Sequence, residues 1–310
     1  MFIDGILPVL PTPFTAGEEV DWSALPGLIE FAAAAGACAV CLPAYGSEFY
    51  KLAEAERLRL VEEAVAIAAG RIPVVAQVNY PSARQAAEVA ACCEQAGAAV
   101  ISAAAPRLFP LSEDDLFRYF GRLLEAIRVP LLIQDFNPGG PSLSPGFVKR
   151  LHGAWPHFRY VKLEEPMMAA KVERILAETG GAVGVIEGWG GMYTLELVEA
   201  GICGVMPGLA LTDLLARVFR LARERRKLEA WEIFQGVLPQ ILYSLQNLEL
   251  YHHAEKSLLQ ARGVLRAAHV RVARLVLRRG DGAHIDFLNG RILALLERLG
   301  MPANPAAGLA

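Results

Sequence analysis

Short apolar runs rich in β-branched residues alternate along the chain with segments whose apolar positions recur every three to four residues. The runs predict strands at 6–10, 39–42, 73–77, 100–104, 131–135, 159–163, 183–187 and 204–207. The amphipathic segments predict helices near 21–35, 53–69, 82–97, 113–127, 144–152, 166–179, 191–200 and 212–226. Eight strand–helix units at this spacing predict an α/β fold, a closed (β/α)8 TIM barrel, over residues 1–226. From 227 to 310 the strand pattern stops, and helical segments near 228–248, 251–278 and 284–299 predict a C-terminal helical extension. Pro239 is expected to kink or break the first of these helices. Gly280-Asp281-Gly282 is expected to turn before the last helix, and the tail from Met301 to fray.

Composition narrows the function classes. The 310 residues are 54% hydrophobic and 20% charged, enough apolar material for a sizeable core. A net charge of −3 gives no footprint for a nucleic-acid partner, and the basic run at 223–227 reads as a solvated helix end. The N-terminus carries Asp4 and no basic n-region, so it does not read as a signal peptide. The longest uncharged stretch, 31–47, is mostly Ala and Gly and contains Pro43, so no membrane span is expected. Five scattered cysteines predict reduced thiols in a cytoplasmic protein. Cys38 and Cys41 have the spacing of a redox or metal pair, but they lie where a helix end enters a strand and read as core. The six histidines show no metal-ligand spacing.

The barrel reading locates the chemistry, because active sites of this fold lie at the carboxyl ends of the strands. Lys162 falls there on strand six, in Tyr160-Val161-Lys162-Leu163-Glu164-Glu165, and is one of only six lysines against twenty-four arginines. Burial disfavours the charged ammonium, and a neutral amine attacks a ketone to form a Schiff base. The plainer alternative is an ion pair with Glu164 or Glu165. Gln134 and Asp135 hold the matching place on strand five, and Glu187 on strand seven. If Lys162 points inward, Glu187 and Gln134 can flank it; a salt bridge or cap at the barrel rim is the alternative role for Glu187. The loop Tyr45-Gly46-Ser47 after strand two offers hydroxyls and a glycine suited to a carboxylate, or else an ordinary turn with Ser47 as a cap. Gly188, in Gly188-Trp189-Gly190-Gly191, would let a ligand approach the backbone.

Together these residues resemble the dihydrodipicolinate synthase / N-acetylneuraminate lyase superfamily. The likeness runs from Gly5-Ile6 and Thr12-Pro13-Phe14 through the strand-two loop to Val161-Lys162. It continues through Gly201-Ile202-Cys203-Gly204-Val205-Met206-Pro207 to Glu255-Lys256 and Arg262-Gly263-Val264. The resemblance implies a TIM barrel with C-terminal helices, assembled as a homotetramer or homodimer. It also implies a Schiff base between a lysine, by position Lys162, and a 2-keto acid, with no metal or organic cofactor.

Departures from the family pattern point within it. Most members carry a proton-relaying tyrosine near the end of strand five, where this chain has Gln134, an amide that does not titrate near neutral pH. The synthase's nearby arginine is missing from Asn137-Pro138-Gly139-Gly140-Pro141, and its interface tyrosine is replaced by Arg107-Leu108. The motifs Ser47-Glu48, Gln134-Asp135, Lys162 with Glu164, and Ile186-Glu187-Gly188 are similar to the branch of 2-keto-3-deoxy sugar acid dehydratases, notably the L-2-keto-3-deoxyarabinonate dehydratase. The expected function is a class I lyase, a dehydratase or aldolase, in which Lys162 attacks the keto group and Glu187 or a water moves protons. Tyr45, Gly46 and Ser47 would hold the carboxylate, Gln134 would orient the substrate, and Gly188 and Met206 would line the pocket. The alternatives are a synthase or neuraminate lyase working without the tyrosine, and a non-catalytic sugar-acid-binding protein.

Overall fold

The computed structural model describes residues 3–136, 142–271 and 275–308. Eight parallel strands follow in the order β1 (Gly5–Ile6), β2 (Val40–Leu42), β3 (Val74–Gln77), β4 (Val100–Ala104), β5 (Leu131–Phe136), β6 (Phe158–Glu164), β7 (Gly184–Glu187) and β8 (Gly204–Val205). From β2 to β8 each strand pairs with its sequence neighbour, and β1 pairs with β8. The barrel closes between the segment after β1 and β2: Cys41 N–H donates to Pro8 O, Leu10 N–H to Cys41 O, and Cys38 N–H to Ile6 O. Strand one is thus shorter than the predicted 6–10, because Pro8 has no N–H to continue the ladder toward β2.

Between the strands lie α1 (Leu25–Ala34), α2 (Glu54–Ala68), α3 (Ala83–Gln95), α4 (Glu113–Ala126), α5 (Pro145–Ala154), α6 (Ala169–Thr179), α7 (Thr194–Ala200) and α8 (Thr212–Arg223). Local chemistry sets several starts. Ser112 and Asp115 cap each other's backbone N–H at α4, and Ser144 accepts from Phe147 N–H with Pro145 opening α5.

Side chains alternate along each strand, so the barrel sorts them into two layers. Leu7, Val9, Cys41, Val75, Val100, Leu132, Tyr160, Ile186 and Met206 fill the interior. Val40, Val74, Ile101, Ile133, Val161, Leu163, Val185 and Val205 face the helices. Both layers are buried, which is why the strands read as continuous apolar runs. Cys38 and Cys41 are free thiols in and against the interior layer, not a disulfide.

The extension comprises α9 (Lys227–Ser244), α10 (Leu248–Ala261) and α11 (Arg279–Arg298). Ile233, Phe234, Val237, Leu258, Ile292 and Leu296 share one apolar cluster with the helices of the barrel. Four expectations need correction. Pro239 lies inside α9 without breaking it. The helix expected over 251–278 ends at Ala261, followed by Gly263 in a left-handed conformation, φ 72°. Gly280-Asp281-Gly282 is the first turn of α11, where Asp281 accepts the Arg278 N–H. The tail, expected to fray from Met301, is packed in its described part: Met301 lies on the core, and Ala303 O accepts from the buried Arg262.

Four polar contacts seat α10 over the carboxyl end of the barrel. Glu48, in the loop after β2, pairs with Lys256 and, at 3.0 Å, with Lys51. Lys51 also meets Glu249 at 2.7 Å. Arg262 forks onto Asp213 at 3.0 and 2.5 Å and donates to Ala210 O. The extension is therefore tied to the loops after β2 and β8, both of which border the site.

Candidate active site

A cavity of about 330 Å³ opens at the carboxyl ends of the strands. Lys162 points into it from the interior face of β6, two residues beyond Tyr160, and is 6% exposed. Its Nζ lies 2.8 Å from Glu164 Oε1. Gln134, in register with Lys162 across the β5–β6 ladder, donates through Nε2 to the same oxygen at 2.6 Å. Gln77 at the end of β3 donates to Gln134 Oε1 at 2.5 Å and to Asn79 Oδ1 at 3.2 Å. Cys41 Sγ approaches Gln77 Oε1 at 3.6 Å. This chain of amides holds Gln134 with its NH2 group toward Glu164, leaving the carboxylate beside the amine.

The ion pair anticipated for Lys162 thus exists, and its partner is Glu164; Glu165 pairs instead with Lys171 at 3.1 Å. The pair presents both an amine and a proton acceptor to one small cavity. Gly188 makes room for it. A Cβ there would sit 2.7 Å from Lys162 Cε and 2.5 Å from Glu164 Cγ. Tyr45, Gly46, Gly188 and Met206 all line the cavity, with Phe136, Trp189 and Met192 adding apolar walls. Burial and the nearby Glu164 raise the Tyr45 phenol above its ordinary pKa.

Two expected site residues lie elsewhere. Glu187 is in register with Leu163 and Val205, on the face turned to the helices, whereas Lys162 is in register with the interior Ile186. The Glu187 carboxylate is fully buried and accepts from Trp189 N–H at 3.0 Å and Gly191 N–H at 2.8 Å. Burial, partly offset by those N–H donors and by Lys162, pushes its pKa up to about 7. It shapes the glycine-rich turn that carries Gly188. Ser47 is also fully buried: its hydroxyl donates to Leu10 O at 2.6 Å and accepts from Ala44 N–H at 2.9 Å. It fixes the loop and does not reach the cavity wall. The segment 137–141, with its missing arginine, lies outside the described residues.

Glu164 entered the sequence reading only as an ion-pair partner of Lys162, and two further contributors were absent from it: Gln77, which holds Gln134, and Tyr251 from α10, which lines the cavity. Gln77 was within reach of the strand-end rule, being the last residue of β3. Tyr251 was not, because nothing in the chain states that α10 folds over the barrel mouth. Among the described residues no group of three or more His, Cys, Asp or Glu side chains is placed to hold a metal ion. No helix among them is long and apolar enough to cross a membrane.

Residues 2–272 match the model of the dihydrodipicolinate synthetase family. The chain belongs to that family. Its members are lyases of the Schiff-base class, and this family enzyme is one of them. It is 30% identical over 268 residues to the L-2-keto-3-deoxyarabonate dehydratase of Azospirillum brasilense, covering 84% of this chain and 85% of that one. It is 28% identical over 222 residues to the 4-hydroxy-tetrahydrodipicolinate synthase of Chlorobium chlorochromatii, covering 71% and 74%. The fold of YagE, a prophage protein of this family from Escherichia coli K12 solved in complex with pyruvate, superposes with a TM-score of 0.83. That match is at 21% identity and covers 97% of this chain and 99% of that one.

Proposed function

We propose that this enzyme dehydrates a 2-keto-3-deoxy sugar acid through a Schiff base on Lys162. The observation that carries the reading is the acid at 2.8 Å from the amine, on the same strand and in the same cavity. Lys162 Nζ attacks the C2 ketone, water leaves, and a protonated imine forms. The imine draws electrons from C3, so Glu164 can take the C3 proton and leave an enamine. The enamine then expels the C4 hydroxyl, which Glu164 protonates as it departs as water. Glu164 performs the proton transfer for which Gln134 has no titratable group, and Gln134 steers its carboxylate.

The substrate class follows from the wall. Among the described residues Lys162 is the one basic side chain lining the cavity, and its charge is spent on the imine. The segment 137–141 is Asn-Pro-Gly-Gly-Pro and contains no cation either. A second carboxylate, such as an aldehyde acid would bring, finds no counter-charge, which disfavours the synthase reaction. The likeness to the arabonate dehydratase supports a five-carbon acid. Five free cysteines suit work in the cytoplasm. Leu108 and Phe109, 68% and 70% exposed after β4, suit a homo-oligomer, which sedimentation tests.

Borohydride trapping followed by peptide mapping tests the mechanism. Wild type should give an adduct on Lys162 with pyruvate and with 2-keto-3-deoxypentonates, and Lys162→Ala none. Product analysis then separates dehydration from C3–C4 cleavage, which uses the same enamine. A folded wild type that traps no keto acid would overturn the proposal in favour of a binding protein.

A further inference from the structure

We infer that the hydroxyl of Tyr251, carried by α10 of the extension, is the side-chain donor that binds the substrate's carboxylate. The inference deepens the Schiff-base reading and rests on it. The loop after β2 faces the cavity through Tyr45 and Gly46; the Tyr45 phenol lies near the Glu164 carboxylate, and a second place for a donor is open beside Gly46. Ser47 spends its own on Leu10 O, and Gly46 has none. Tyr251 fills that place. A Cβ built on Gly46 would lie 3.1 Å from Tyr251 Oη and 3.2 Å from Cε1 of the same ring. A Cβ on Gly208, across the cavity wall, would lie 2.7 Å from the same oxygen. Two glycines from different loops therefore leave room for one phenol, and a side chain at position 46 would push Tyr251 aside.

Tyr251 lines the cavity, and no hydrogen bond joins its hydroxyl to any described residue. A phenol that reaches a cavity with no protein partner is a donor kept for a ligand. The neighbouring Glu255 is turned onto Ala210 N–H at 2.7 Å. Burial pushes its pKa up to about 7, so much of it is uncharged at neutral pH and opposes an incoming carboxylate less.

The test compares pyruvate with methyl pyruvate, the same ketone without the charge, by the concentration dependence of borohydride trapping in wild type and Tyr251→Phe. A hydrogen bond to a charged group predicts that half-saturation with pyruvate rises roughly ten- to hundred-fold, while methyl pyruvate shifts little. Gly46→Ala, whose added methyl displaces the phenol oxygen, should move the same ratio in the same direction. It also keeps the question answerable if Tyr251→Phe fails to fold. Equal shifts for both ketones, or none, would overturn the inference. Absence of trapping in wild type would instead bring down the Schiff-base reading beneath it.

Discussion

Gly188→Ala is the smallest change that should separate the two reacting side chains. The Cβ it adds would fall 2.5 Å from Glu164 Cγ, 2.7 Å from Lys162 Cε and 2.9 Å from Leu163 O, where ordinary contact begins near 3.4 Å. Two of these atoms belong to side chains that can swing, but the third is backbone in the β6–β7 ladder, accepting from Gly188's own N–H at 3.0 Å. The strand cannot yield on that side, so Lys162 and Glu164 must move or the turn must lift. Inserting a methyl group into a packed site destabilises by about 1–3 kcal/mol. With an unfolding entropy of about 2 cal/mol/K per residue, that corresponds to a melting temperature lower by roughly 2–5 °C. Displacement of the amine and acid by about 1 Å should lower turnover on the order of a hundred-fold. Differential scanning calorimetry and a turnover assay measure both. Gly282→Ala is the control, since nothing lies within 4 Å of its added carbon and the helix α11 gains from alanine. A Gly188→Ala enzyme with wild-type turnover and an unchanged melting temperature would refute the packing argument, and with it the placement of the pair against that glycine.

Three further outcomes are expected. Glu164→Gln should keep its hydrogen bond to Lys162 and still trap pyruvate with borohydride, yet lose on the order of 10²–10⁴ in kcat for dehydration, as read by product formation. Arg262→Ala should destabilise the fold by about 3–5 kcal/mol in urea titrations, because it leaves the buried Asp213 carboxylate without its cation. Glu187 titrates in the folded protein near pH 7 against an ordinary value of 4.5, so the native state holds an extra proton between those values. Its contribution is full below pH 4.5 and lost as pH rises through 7, so wild type should lose about 2–3 kcal/mol relative to Glu187→Gln over that window.

The strands were legible because a parallel barrel buries both faces of each, and their apolar runs stand out against the amphipathic helices. Lys162 and Gln134 were legible for the same reason, as polar residues at the carboxyl end of such runs. The side that Glu187 faces was not. It depends on which residue of β7 aligns with Lys162, and Ile186 does, a one-residue difference that turns Glu187 from the interior to the helices. Ser47 was read as a ligand because its type suits one, but the segment after β1 passes close enough to accept its hydroxyl. That contact joins residues 37 apart and leaves no trace in the local pattern. The Gly280-Asp281-Gly282 reading weighed two glycines against a helix, whereas Asp281 accepting the Arg278 N–H is a helix start that tolerates them.

The extension is where the site departs furthest from a plain barrel. Glu48 adopts a left-handed backbone, φ 60°, two residues after Gly46, and pairs with both Lys51 and Lys256. That conformation is strained for a side chain larger than glycine and persists only because its carboxylate is held from two sides. One of the holders, Lys256, stands five residues after Tyr251 on α10. The ion pair therefore fixes the loop and the phenol relative to each other with one contact. Arg262, at the end of α10, does the same for the loop after β8 through Ala210 and Asp213. A helix pinned at both of these loops holds its hydroxyl over Gly46 and Gly208. At both glycines an added Cβ would crowd that phenol; at position 46 it would also meet Val9 at 3.0 Å, and at position 208 Glu255 Oε2 at 2.5 Å.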